Sequence, residues 1–270
     1  MAQLRQPRLA EIIAGKLRED ILEGRLREGD FLGNREQLFN EYQVSPPALR
    51  EALCILETDG LISVRRGNIG GAVVHAPTSA RAAQMIAMVL QTRSTPPTEV
   101  AESLRHLEPI CAGLCAARED RAEEVVPVLR ALTESQRASL HDAAEFERYA
   151  HEFHGQTISL CGNEAMIVVI GALEAIWASH APLVWQAIAD NPQIWPEGDP
   201  LQQRREALRS HTRLVDVIEK GDVRKANQIV TAHLDATTPA TARGVDRQTV
   251  QANRVGGFGA EPAATRRRVG

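Results

Sequence analysis

A chain of 270 residues exceeds one small domain and falls short of three at roughly 100–200 residues per domain, so two are expected. The composition, 43% hydrophobic and 24% charged with only 4% aromatic, excludes a disordered or fibrous chain and disfavours a strand-rich sandwich. The net charge of −4 argues against a nucleic-acid partner only until it is divided: residues 1–77 sum to −1, 78–240 to −7 and 241–270 to +4.

Along the chain, Leu9, Ile12, Ile13, Leu17, Ile21 and Leu22 recur at helical spacing, and Gly24 closes that helix. A second helix is expected to start at an Asn34 cap, with Gln37 three residues on, and to run to Tyr42. A tight turn, Gln43-Val44-Ser45, leads into a third, for which Ser45 is a good cap and Pro46 a good first residue. Leu49, Ala52, Leu53 and Leu56 line one face of this helix, and Gly60 ends it. Two short apolar runs, Leu61–Val64 and Ala72–His75, flank a glycine-rich loop and read as a hairpin wing. The order is a winged helix-turn-helix, whose recognition helix, here Pro46–Asp59, enters the major groove.

Residues 9–77 resemble the DNA-binding domain of the GntR family of bacterial transcriptional regulators. The resemblance rests on stretches 22–32, 44–53, 56–62 and 65–71, which follow in the right order and spacing. In this fold, contacts come from the start of the second helix, the recognition helix and the wing tip, with arginine reading guanine edges. Those places offer Arg35, Ser45, Arg50, Arg65, Arg66 and Gly67, and the four arginines are expected to share one face. Arg50 sits where the family keeps a DNA-contacting arginine; the plainer alternative is a surface pair with Glu51. The chain departs from the family at Pro46, where an arginine is usual, and at Arg35, where an acid is usual.

From Thr78 the periodicity is helical throughout: helices are expected near 79–92, 98–119, 121–141, 144–161, 164–189, 200–220 and 222–238, an antiparallel bundle occupying 78–240. The fold class is therefore mainly α. Residues 241–270 lack periodicity and read as a flexible basic tail. The longest nearly uncharged apolar run, Ala165–Leu173, is about half of a membrane span, and no apolar signal core opens the chain, so a cytoplasmic location without membrane attachment is expected. The four cysteines lack disulfide or CxxC spacing and read as small hydrophobes.

His211 and His233 stand equally far from the Gly221-Asp222 turn of a helical hairpin, so they can face each other across it, and His154 can supply a third imidazole. Three imidazoles suit zinc, nickel or a similar divalent ion. The bundle resembles the all-helical FCD effector domain of the same family, through Leu104–Pro109, Glu152-Phe153-His154, Gly162-Asn163, Ser210-His211 and Ala232-His233-Leu234. In that subgroup the three histidine positions bind metal, joined by an aspartate one helical turn before the first. That position is here Ala150, leaving His151, Glu147, water or an effector carboxylate to fill it. The resemblance also places Arg105 and Asn163, with the three histidines, around an effector. Arg105 can equally form an i,i+3 pair with Glu108, and Asn163 can cap the next helix.

These readings converge on a ligand-responsive regulator, a repressor in the leading version, which binds a palindromic operator in double-stranded DNA as a homodimer and responds to a small carboxylate or acyl metabolite. The alternatives are a DNA-binding dimer without an effector and a metal-dependent hydrolase in which Glu152 assists a metal-bound water. The chain lacks GxSxG and HExxH motifs, which disfavours the hydrolase.

Overall fold

A computed structural model describes residues 8–33, 35–65, 71–189, 199–237 and 249–255, the side chains of Arg35, Glu36, Arg65, Trp185, Ile188 and Ala189 excepted. The chain divides into two compact units, Met1–Thr78 and Ser79–Gly270. The first unit runs α1 (Leu9–Leu22), β1 (Phe31–Gly33), α2 (Arg35–Tyr42), α3 (Pro46–Asp59), β2 (Ile62–Arg65) and β3 (Gly71–Val74). Helix α1 buries Ile13, Leu17 and Ile21, and α3 buries Leu49, Leu53 and Leu56, so the two helical stripes close on one core with Leu38, Ile62 and Val74. The sharp α2–α3 turn places Gln43 at φ +50, and α3 stops at Gly60 in the left-handed region, φ +67, as a helix C-terminal glycine does.

The wing differs from the expected two strands. It is a three-stranded antiparallel sheet in the order β1-β3-β2, with Phe31 opposite Val73 and Ser63 opposite Val73 from the other side. Strand β1 has three residues, too few to show an alternating pattern, and it is recruited by the Val74 N–H donating to the Asp30 carbonyl. The expected cap at Asn34 lies outside the described residues.

The second unit contains α4 (Ser79–Thr92), α5 (Pro97–Ala117), α6 (Arg121–Glu124), α7 (Val126–Ala138), α8 (Ala143–Ser159), α9 (Glu164–Ala189), α10 (Pro200–Glu219) and α11 (Val223–Thr237). The helix expected over 121–141 is thus two. The break falls at Val125, two residues before Pro127, whose ring opposes the carbonyl four residues back and which cannot donate a helical hydrogen bond. Helix α5 packs against α8, α9, α10 and α11, which places it at the centre of the bundle.

Helix α9 contains a 21-residue stretch, Glu164–Val184, that by length and composition alone could cross a membrane, with a mean hydropathy of 1.7. This corrects the reading of one short apolar run. In the bundle its Ile170, Ala172, Ile176, Ala181 and Val184 are core residues, and the same helix buries Glu174 and His180.

Residues 249–255 also correct an expectation, that of a flexible tail over 241–270. Val250 and Val255 are buried in the bundle core, and the segment ends in a single 3-10 turn, Ala252–Arg254. Its amides donate to the Thr95 carbonyl, to His180 Nε2 and to Gln91 Oε1 at 2.9 Å each. The rest of the expected tail lies outside the described residues.

Candidate metal and ligand site

The α10–α11 hairpin turns at Gly221, φ +73, and Asp222 caps α11 by accepting from the Lys225 amide. His211 and His233 consequently stand level, their Nε2 atoms 3.1 Å apart, and α8 brings His154 Nε2 to 3.4 Å from His233 Nε2. All three residues offer a nitrogen within 4.8 Å of one another. Phe153, one residue before His154, stacks on the His211 ring at 4.3 Å and fixes its plane.

The outer nitrogens are held by acceptors. His211 Nδ1–H donates to Gln136 Oε1 at 2.8 Å, while the Gln136 amide nitrogen donates to the Tyr149 carbonyl, so the amide cannot be turned round. His154 Nδ1–H donates to Glu108 Oε1 at 2.5 Å. These partners direct the Nε2 atoms of both rings inward, the usual arrangement behind a metal-ligating histidine. Three nitrogens tetrahedrally placed about 2.0–2.1 Å from one ion stand about 3.3 Å apart, close to the two observed separations. The residues therefore fit a divalent ion held by three imidazoles with an open fourth position. Ala150 supplies no ligand there, and among the described residues no carboxylate oxygen joins the three-nitrogen cluster.

Electrostatics divide the three rings. Burial, then the neighbouring imidazoles, holds His211 well below the ordinary histidine range, and burial followed by His154 brings His233 down to about 3. Burial also pulls on His154, but the Glu108 carboxylate beside it wins and pushes it up to about 9. Two rings thus stay neutral and ready to ligate, and the third must give up a proton first.

The cluster forms part of the wall of a cavity of about 700 Å³, with Leu104, Phe146 and Trp177 among its apolar residues and Glu174 and Arg204 among its polar ones. His151 and Glu147 line this cavity without joining the three-nitrogen cluster; His151 instead stands 3.6 Å from Glu174. Arg105 and Asn163, expected near an effector, do not line it: Arg105 pairs with Asp235 at 2.7 Å, and Asn163 caps α9 by accepting from the Met166 amide. Nor does Arg105 pair with Glu108, which is spent on His154. Glu152, the acid of the hydrolase alternative, is exposed and pairs with Arg148 at 3.4 Å. Glu108, Gln136, Glu174 and Arg204 were not singled out as site residues from sequence. A polar residue on the apolar stripe Leu129-Leu132-Gln136 and a lone acid inside the apolar run of α9 are the signals that mark Gln136 and Glu174.

In the first unit, Arg50 lies exposed on α3, and Glu51, its alternative partner, reaches Arg8 at 3.5 Å instead. Ser45 caps α3 with its backbone only, its hydroxyl making no capping bond, and Pro46-Pro47 remove two amides from that helix end. The Ser45 hydroxyl is exposed. Arg66 and Gly67 lie outside the described residues, as do the side chains of Arg35 and Arg65, and with them the expectation of one arginine face.

Comparison with known proteins gives matches in both units. Residues 99–236 match the family described as "FCD domain", and residues 9–73 match "Bacterial regulatory proteins, gntR family". The chain is 25% identical over 235 residues to the HTH-type transcriptional repressor NanR of Cronobacter sakazakii, covering 86% of this chain and 85% of that one. It is likewise 25% identical over 237 residues to the NanR repressor of Salmonella newport, covering 87% and 86%. Among solved structures, a GntR protein of Streptococcus agalactiae superposes with a TM-score of 0.62 at 20% identity, over 86% of this chain and all of that one, a likeness of fold.

Proposed function

The chain belongs to the GntR family of bacterial regulators, in its FCD-domain branch, and from that premise we propose that it is a metal-assisted, ligand-responsive repressor: a homodimer binding a palindromic operator and retuned by a small carboxylate in the bundle cavity. It is a DNA-binding transcription regulator and not an enzyme. The observation that carries the ligand half of the proposal is the convergence of three imidazole nitrogens on one large cavity in the unit that follows the winged head.

A divalent ion at these nitrogens would supply a Lewis-acidic anchor for a ligand carboxylate. The rest is work for the chain. His211 and His233 present neutral nitrogens, Gln136 and Glu108 hold the rings in place, and the apolar wall of Leu104, Phe146 and Trp177 excludes water from the ligand's carbon skeleton. DNA binding changes only if the ligand has different affinities for two arrangements of the protein. The cytoplasmic location is that of a protein working on DNA.

Selection of DNA fragments by the purified, zinc-loaded protein tests this function. Enrichment of a palindrome, with affinity changed by a carboxylate, is the expected result; enrichment of no common sequence would sink the regulator reading. Arg50→Ala should weaken binding to the selected site by about 1–3 kcal/mol, roughly 5- to 150-fold, in a fluorescence anisotropy titration.

A further inference from the structure

Among the described residues, His180 on α9 is the one fully buried histidine outside the three-nitrogen cluster, at 1% exposure. Its Nδ1 lies 2.8 Å from the Ile176 carbonyl, which only accepts, so that nitrogen carries a proton. Its Nε2 accepts from the Gln251 backbone N–H at 2.9 Å and must therefore be bare. Both ring positions are assigned, and the ring is neutral. This bond is the middle one of three, since the amides of Val250, Gln251 and Ala252 donate in turn to the Thr95 carbonyl, His180 Nε2 and Gln91 Oε1. Of these three acceptors, the imidazole alone is of a kind that takes up a proton between about pH 5 and 8.

We propose that His180 is an acid-released latch: its neutral ring holds residues 249–255 on the bundle, and its protonation frees that segment together with the end of α4. A protonated Nε2 is a donor facing another donor, the Gln251 N–H, and a buried cation adds its own cost. Among the described residues His180 makes no ion pair to offset that charge. Around it, α4, the loop after it and the segment carry the cations Arg81, Arg93 and Arg254, while Glu174 on α9 stands beside His151 and Glu108 on α5 beside His154. The remaining acids of α5 and α8 are exposed, and burial keeps the thiols of Cys111 and Cys115 protonated. His154 keeps its partner when it gains a proton, because that partner is a carboxylate; His180 loses its partner, because that partner is an amide. Burial of Val250 and Val255 keeps the segment seated while the ring is neutral. Helix α4 packs on α9 and on this segment, and it fully buries only two small residues, Ala83 and Ala87, so the tie at Gln91 in its last turn carries weight. That helix follows directly on the first unit, which ends at Thr78, so the latch bears on the helix through which the winged head is joined to the bundle.

The test is hydrogen–deuterium exchange of the full chain, read by mass spectrometry at about pH 8 and about pH 5.5 and corrected for the intrinsic exchange rate. Residues 249–255 and the last turn of α4 should lose at least about tenfold in protection at the lower pH, with the interior of α5 unchanged. His180→Gln puts a side-chain oxygen that does not titrate within reach of the Gln251 amide, and both segments should then keep their protection to within about twofold across the same range. His180→Leu, without an acceptor, should leave both segments open at both pH values. The three-histidine site is intact in the Gln variant, so an acid effect arising there would persist in it. Equal protection of 249–255 at the two pH values in the unsubstituted protein would overturn the inference, and so would a fall in His180→Gln as large as in the unsubstituted protein. A loss that extends to α5 would overturn it as general acid unfolding. An α4 that stays protected while 249–255 opens would overturn its link to that helix.

Discussion

His154 and Glu108 set how the site exchanges protons for metal. With His154 raised to about 9, its ring is protonated at neutral pH, and a metal ion must displace that proton, whereas His211 and His233 are already neutral. Apparent zinc affinity should therefore rise about tenfold per pH unit between roughly pH 7 and pH 8.5 and flatten near 9, as competition with a chromogenic chelator will measure. Glu108→Gln removes the carboxylate that holds the proton, so the rise should flatten about one unit or more lower. Gln136→Leu leaves His211 Nδ1–H buried without an acceptor. It should weaken zinc binding about 10- to 100-fold by loss of the outer partner, and destabilise the unit by about 1–3 kcal/mol in a denaturant titration.

At the scale of elements, the wing and the helical hairpin show how one residue governs a whole segment. A Cβ on Gly71 would come 2.2 Å from the Phe31 ring and 2.7 Å from the Gly33 carbonyl, so β3 and β1 meet only because that residue has no side chain. Gly71→Ala should push β1 off the sheet and lower the head's stability by about 1–3 kcal/mol, with DNA affinity falling in the same titration that tests Arg50. Glycine-rich composition pointed to a turn at this place, and the close approach of a third strand was hidden because β1 is short. The α10–α11 hairpin was legible to a finer degree: a left-handed glycine at its turn and equal spacing on each side were enough to bring His211 and His233 level. Helix α7 shows the limit, since the register of its apolar stripe runs on smoothly while Pro127 interrupts the backbone beneath it.

For the whole molecule, the C-terminal segment decides more than its composition suggests. Val250 is fully buried, and three backbone amides of 249–252 donate to α9, to α4 and to the loop that follows α4. Val250→Asp places a charge in that apolar setting, and removal of residues 249–270 uncovers it. Either change should cost the helical unit more than about 2 kcal/mol, a loss of roughly 4–8 °C in melting temperature by calorimetry, although no residue of the three-histidine site is touched.

Local rules in the sequence were sufficient for the two-unit plan, the winged head, most helix limits and the three histidines, because caps, turns and 3.6-residue periodicity act over a few residues and leave their mark in the order of the chain. Which polar groups meet across the bundle was settled only by tertiary packing. Arg105 is one helical turn from Glu108 yet pairs with Asp235, and Glu108 pairs with His154 instead. Gln136 reaches His211 across 75 residues, and the segment 249–255 finds the bundle although its own sequence lacks any period. Such partners are chosen by the free-energy cost of leaving a buried polar group or an apolar surface unmatched, and that cost exists only once the helices have come together.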